Sequence, residues 1–115
     1  MSDRVVYRLG DIVDAIDKID TLLQGRTFSD PQRDPFAKAA FERFLEIVSE
    51  ASRHIPDSLK ASAPEIEWRR LADIGNHLRH AYNRVDAEIL WNLHADGRLA
   101  ELRDVAETFR TNLDC

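Results

Sequence analysis

The segment LADIGNHLRHAYNRVD, residues 71–86, combines a helical apolar repeat with a dense group of polar side chains. Its apolar residues recur three or four positions apart, which predicts one amphipathic helix from about Trp68 to Asn83. The apolar stripe consists of Leu71, Ile74, Leu78, Ala81 and Val85. The opposite face carries Asp73, Asn76, His77, His80, Asn83 and Arg84.

The polar face of this helix has two interpretations. A polar stripe usually only meets water, and for an arbitrary helix that is the default. Here the face concentrates imidazole, guanidinium, amide and phenol groups, which bind phosphate and transfer protons. For His77 the structural interpretation is favoured over phosphate binding, whereas for His80 a catalytic or phosphate-binding role is favoured over a structural one.

The remaining chain is dominated by further helical periods. A first helix is predicted from about Arg4 to Leu23, with Gly25 in the left-handed conformation that stops it. The second helix should run from Pro35 to about Ile55. Its start is marked by Asp34, whose side chain can accept from the free amides of the first turn.

The C-terminal third of the chain predicts two more helices. Asp86 is the expected N-cap of a helix that ends near Gly97, and residues 99–113 repeat as a last amphipathic helix. The fold class is therefore all-α, an antiparallel up-and-down bundle of four to five helices in one domain, residues 1–115. The predicted core includes Ile12, Ile16, Phe41, Phe44, Val48, Leu71, Ile74 and Leu78.

Composition limits the classes of function. The 115 residues are 43% hydrophobic and 32% charged, which is ordinary for a folded globular domain. A net charge of −5 requires any nucleic-acid contact to use a local basic patch. The single cysteine, Cys115, excludes an internal disulfide and does not suggest a zinc site, and no apolar run is long enough to span a membrane. We expect a cytoplasmic protein without membrane contact, metal or cofactor.

Several motifs resemble the HepT-like branch of the HEPN superfamily. The resemblance rests on residues 64–69 (PEIEWR), 75–82 (GNHLRHAY), 85–86 (VD) and 89–91 (ILW), and it extends over essentially the whole chain. Members are small helical bundles, usually homodimers, encoded beside MntA-type minimal nucleotidyltransferases. The resemblance therefore implies a HEPN-like bundle, a homodimer and a nucleotidyltransferase partner.

The resemblance also implies an active-site pattern that this chain matches only in part. HEPN ribonucleases carry an arginine, often followed by Asn, Asp or His, and then a histidine, and the HepT branch adds a tyrosine two residues later. Asn76, His80 and Tyr82 fit that pattern. The three positions where the arginine could stand hold Asp73, Ile74 and Gly75 instead.

Two substitutes for the missing arginine lie nearby. Arg79 is the nearer one, although on an ideal helix it points about 100° away from the neighbouring His80. Arg84 is the alternative. The expected catalytic group is thus His80, Asn76 and Arg79, with Arg84 and His77 as phosphate-binding candidates.

The resemblance implies two functions of different kinds. The first is a metal-independent endoribonuclease, the toxin of a type VII toxin–antitoxin pair, which the partner neutralises by transferring AMP to Tyr82. The second is a nuclease-inactive HEPN dimer that serves as the partner or substrate of the nucleotidyltransferase. Tyr82 itself is either this acceptor or a ring packed in the bundle. The missing arginine favours the inactive dimer, and the retained Asn76, His80 and Tyr82 favour the ribonuclease.

Overall fold

The computed structural model describes residues 3–114, which form eight α-helices and no strand. The all-α bundle is therefore confirmed for this range, and Cys115 lies outside it. The helices are α1 (Asp3–Leu23), α2 (Ser29–Arg33), α3 (Pro35–Arg53), α4 (Asp57–Ala61), α5 (Trp68–Ala72), α6 (Ile74–Arg79), α7 (Arg84–Ala95) and α8 (Arg98–Asp114).

Helix α1 is the main support of the core. One side of it, from Val5 to Leu23, is buried at the expected helical spacing, while Asp11, Asp14 and Asp17 on the other side are exposed. The buried side packs against α3 and α8. Most of the stability of such helices comes from burying this apolar stripe.

The predicted C-terminal end of α1 and the predicted start of α3 are confirmed. Gly25 has a φ of 74°, a left-handed conformation that a side chain would disfavour. A carboxylate oxygen of Asp34 accepts from the amides of Phe36 at 3.0 Å and Ala37 at 3.2 Å, and Pro35 occupies the first turn of α3.

The predicted single helix over residues 68–83 is wrong in two respects. The chain bends at Asp73 and forms two short helices, α5 and α6, and α6 already ends at Arg79. At the bend the guanidinium of Arg53 donates to the carbonyl oxygen of Ala72 at 2.8 Å, which satisfies a group that a continuous helix would bond internally. The apolar spacing continues through the bend, so periodicity does not reveal it.

The predicted cap of α7 is also wrong. Asn83 is the N-cap, and its side-chain oxygen accepts from the amide of Asp86 at 2.9 Å. The early end of α6 changes the register of the following residues, so Val85 is 67% exposed instead of lying on the apolar stripe. Asp86 lies in the first turn of α7, which leaves its carboxylate free for another contact.

The predicted core is largely confirmed. Phe44 and Leu78 are only partly buried, but both pack against the core cluster. Within residues 3–114, every helix is too short or too polar to cross a lipid bilayer. The predicted core residues that are buried are Ile12, Ile16, Phe41, Val48, Leu71 and Ile74.

Candidate functional site

The candidate site is the turn that joins α6 to α7. His80 is the C-cap of α6, and the chain then turns through Ala81 and Tyr82 to the N-cap Asn83. Helix α3 holds this turn in place, because the Nζ of Lys38 donates to the carbonyl oxygen of Ala81 at 3.0 Å. The turn is therefore fixed by a cap at one end and by a long-range hydrogen bond in its middle.

A histidine–aspartate pair bridges the two helices. The Nδ1 of His77 lies 2.7 Å from a carboxylate oxygen of Asp86, and both side chains are largely shielded, with 27% and 19% of their surface exposed. The hydrogen bond from His77, with a further contribution from Asn83, holds the pKa of Asp86 below its ordinary value. Asp86 is thus an ionised hydrogen-bond acceptor at neutral pH.

His80 and Tyr82 lie next to this pair. Their rings meet edge to face with centroids 6.1 Å apart. The positive charge of a protonated His80 also lowers the pKa of Asp86, so its imidazole lies within electrostatic reach of the His77–Asp86 pair. Tyr82 is 83% exposed, which excludes the interpretation of its ring as part of the packed bundle.

Asn76 and Arg79 form a separate pair on α6. The guanidinium of Arg79 donates to the side-chain oxygen of Asn76, one helical turn earlier, and both residues are exposed. Arg79 also lines a groove of about 510 Å³ together with Arg43 of α3. Of the predicted catalytic residues His80, Asn76 and Arg79, the last two are therefore hydrogen-bonded to each other.

Arg84 faces a different groove, on the α2 side of the turn. Its Nε donates to Glu88 at 2.7 Å, and its guanidinium lies over the ring of Phe28 at 5.5 Å. Tyr82 and Arg33 line the same groove, whose volume is about 330 Å³. The structure thus places Arg84 near Tyr82, in a concave region with two guanidinium groups.

Arg53 of α3 lies beside the positions where the motif arginine is missing. The Nη2 of Arg53 is 3.4 Å from the point that a Cβ would occupy on Gly75. Arg53 is therefore the guanidinium next to the vacant side-chain position, although it belongs to α3 and also contacts Glu50 at 3.5 Å. Its hydrogen bond to Ala72 makes it a structural support of the bend.

Two features of the site were not predicted. Lys38 is 43 positions from Ala81, and no local pattern connects them. His77 and Asp86 were each singled out, but for other roles, and their pairing depends on the path of the turn between α6 and α7. Within residues 3–114 no group of three or more His, Cys, Asp or Glu side chains is placed to hold a metal ion.

Three similar proteins all carry ribonuclease names. The chain is 41% identical over 83 residues to a protein of Thermococcus cleftensis named probable ribonuclease HepT, covering 72% of this chain and 76% of the relative. A protein of Caldanaerobacter subterraneus subsp. tengcongensis with an RNase name is 32% identical over 69 residues, or 60% and 62% of the two chains. A Methanocaldococcus jannaschii protein, also with an RNase name, is 24% identical over 102 residues, or 89% and 84%.

No solved structure is significantly similar to the chain. The family model described as ribonuclease HepT-like matches residues 12–109, which include every residue of the candidate site. The chain therefore belongs to the HepT-like ribonuclease family.

Proposed function

We propose that this protein is an endoribonuclease that cleaves RNA by attack of the 2′-hydroxyl on the adjacent phosphodiester. The observation that carries the proposal is the cluster at the α6–α7 turn, where His80 lies beside the His77–Asp86 pair in a member of a ribonuclease family. Imidazole has a pKa suited to proton transfer at neutral pH. It can therefore act as the general acid or general base of this reaction without a metal ion.

The phosphate would be bound by the arginines around the turn. Arg84 and Arg33 line the groove next to Tyr82, and Arg79 lies one residue before His80. Because the chain has a net charge of −5, this local group of cations is the part of the site that attracts RNA. A guanidinium group can bind two oxygens of one phosphate with two parallel hydrogen bonds.

The test is degradation of total cellular RNA by the purified protein in the presence of EDTA, compared with His80→Ala. We expect fragments with the wild type and a loss of roughly 10²- to 10⁴-fold with the variant, the range for removing a general acid or base. His54→Ala, an exposed histidine that pairs with Glu50 on α3, is the matched control. Equal degradation by wild type and His80→Ala would overturn the assignment of His80 as a catalytic residue.

We further propose that the protein is the toxin of a toxin–antitoxin pair in the cytoplasm. Its partner would be an MntA-like nucleotidyltransferase that adds AMP to Tyr82. The exposure of Tyr82 and its position between His80 and the arginine-lined groove support an acceptor role. The added phosphate would occupy the same cations that RNA needs.

The second candidate function is a nuclease-inactive dimer that serves only as partner or substrate of the nucleotidyltransferase. It is favoured by the absence of arginine at positions 73, 74 and 75, and by the hydrogen bond that ties Arg79 to Asn76. Under this alternative the purified protein would leave RNA intact, yet Tyr82 would still accept AMP. The RNA assay thus separates the two candidates.

A further inference from the structure

We propose that His77 is a second catalytic residue, the general base for the 2′-hydroxyl, and that Asp86 is its positioning residue. This inference rests on the proposed ribonuclease function and assigns a role that the motif pattern leaves open. Its geometric basis is the 2.7 Å contact between Nδ1 of His77 and Asp86, together with the position of His80 one helical turn further on.

The contact with Asp86 fixes the protonation pattern of the His77 ring. An ionised carboxylate only accepts hydrogen bonds, so Nδ1 must carry a proton. In the neutral ring the lone pair is then on Nε2, the nitrogen that faces away from Asp86. When Nε2 takes a proton, the carboxylate behind the ring stabilises the resulting positive charge.

The two histidines lie three positions apart on the same turn of the chain. The backbone amide of His80 donates to the carbonyl oxygen of His77 at 3.2 Å, so their backbones belong to the same last turn of α6. The charge of His80 also acts on Asp86, the partner of His77. An arrangement of one shielded histidine with a carboxylate and one exposed histidine provides two different environments for a base and an acid.

The reaction then balances with these two groups. Nε2 of His77 takes the proton of the 2′-hydroxyl while the 2′-oxygen forms its bond to phosphorus. The bond from phosphorus to the 5′-oxygen breaks, and that oxygen receives the proton of the His80 imidazolium. The products are a 2′,3′-cyclic phosphate and a 5′-hydroxyl, and proton exchange with water restores both rings.

The alternative is that the pair only fastens α6 to α7. A purely structural histidine can be replaced by a residue that keeps the hydrogen bond. In His77→Asn the side-chain amide still donates to Asp86 but has no basic nitrogen. The chain offers a control in His94, whose Nδ1 lies 3.6 Å from Asp20 near the other end of α7. His94→Asn changes a similar histidine–aspartate pair outside the proposed site.

The experiment compares two single-stranded RNA oligonucleotides, one normal and one with sulfur in place of the 5′-oxygen at the cleaved bond. A thiol has a pKa near 8.5, so the thiolate leaves without a proton. Loss of the acid is therefore compensated by sulfur, and loss of the base is not. We expect kcat of His77→Asn to fall roughly 100-fold on both substrates, with little change in KM.

The other variants complete the assignment. His80→Ala should recover on the sulfur substrate, and His94→Asn should match the wild type on both. Wild-type rates for His77→Asn, with His80→Ala inactive on the normal substrate, would overturn the role of His77 and leave the ribonuclease function intact. RNA left intact by the wild type would instead overturn the ribonuclease function, and this inference with it.

A measurement on the wild type covers the case in which His77→Asn does not fold. Nitrogen-15 NMR of the histidine rings distinguishes the two neutral tautomers. We expect a protonated Nδ1 for His77, and we expect Nε2 to be the ring nitrogen that shifts on addition of a substrate analogue that keeps the 2′-hydroxyl but has a methylene group in place of the 5′-oxygen, so that it cannot be cleaved. A proton on Nε2 in the neutral ring, or a ring unaffected by the analogue, would contradict the proposal.

Discussion

Lys38 of α3 and Ala81 of the α6–α7 turn are joined by a hydrogen bond of 3.0 Å between Nζ and the carbonyl oxygen. The same ammonium contacts Glu42 at 3.4 Å, and its side chain is only 28% exposed. The bond connects the α6–α7 turn directly to a core helix. It therefore limits the movement of His80 and Tyr82, the residues on either side of Ala81.

Replacing Lys38 by methionine should weaken this support while keeping the apolar part of the side chain. We expect a loss of about 1 to 3 kcal/mol in the free energy of unfolding, because a carbonyl and a partly buried carboxylate both lose a charged donor. Urea unfolding measures it. Lys18→Met is the control, since Lys18 makes an exposed contact with Asp14 on α1 and should change stability by less than about 1 kcal/mol. Equal losses in the two variants would contradict the importance of the Ala81 bond.

The Asp86 carboxylate should make stability depend on acid pH. Its pKa is lower in the folded protein than the ordinary value of 3.8, because His77 donates to the ionised form. The resulting stabilisation is complete above the unfolded-state pKa and disappears as the pH falls through the lower folded-state pKa. Thermal unfolding between about pH 7 and pH 2 should show a smaller acid-induced loss for Asp86→Asn than for the wild type. Asp96→Asn, an exposed position at the end of α7, should follow the wild type.

Tyr82 should accept AMP from the cognate nucleotidyltransferase. Co-expression followed by intact mass spectrometry should show one adduct, which Tyr82→Phe abolishes because it lacks the nucleophilic oxygen. Tyr7→Phe is a matched control, since Tyr7 is 70% exposed on α1 but lies outside the turn. An adduct that persists in Tyr82→Phe would show that a different residue accepts AMP. The modified protein should cleave RNA more slowly than the unmodified protein.

A homodimer should form through the surface around the turn. Val85, in the first turn of α7, is 67% exposed, and Tyr82, in the turn itself, is 83% exposed. Apolar side chains this exposed favour a protein contact. Light scattering at micromolar concentration should give twice the monomer mass, and Val85→Ser should reduce it. A monomeric wild type, or an equal effect of Tyr7→Ser, would count against this surface.

Most of the fold could be predicted from local sequence patterns. The apolar repeats located α1, α3 and α8, and the Asp34–Pro35 pair located the start of α3. The bend at Asp73 was missed because a group that supports it comes from another helix: Arg53, 19 positions before Ala72, donates to the carbonyl oxygen of Ala72. Local patterns describe hydrogen bonds within one helix, and they contain no information on a donor that arrives from another.

The candidate site was predicted less completely. His80 and Tyr82 were located by resemblance to a family pattern, and the structure places them side by side. The pairing of His77 with Asp86 was not predicted, because one wrong cap moved the start of α7 and gave Asp86 a different partner. A residue that caps a helix and a residue that bonds to a neighbouring side chain are both short and polar. Only the path of the backbone in the folded protein distinguishes the two roles.

The bend at Asp73 leaves His77 on a helix that spans only Ile74–Arg79, with His80 as its C-cap. A helix of this length does not hold its shape alone in water, because nucleation costs more than so few hydrogen bonds return. Its order comes from the buried Ile74, from the support of Arg53 and from the His77–Asp86 contact. The geometry of the His77–Asp86 pair is therefore expected to be lost by local opening of this helix, at a lower free energy than unfolding of the whole bundle.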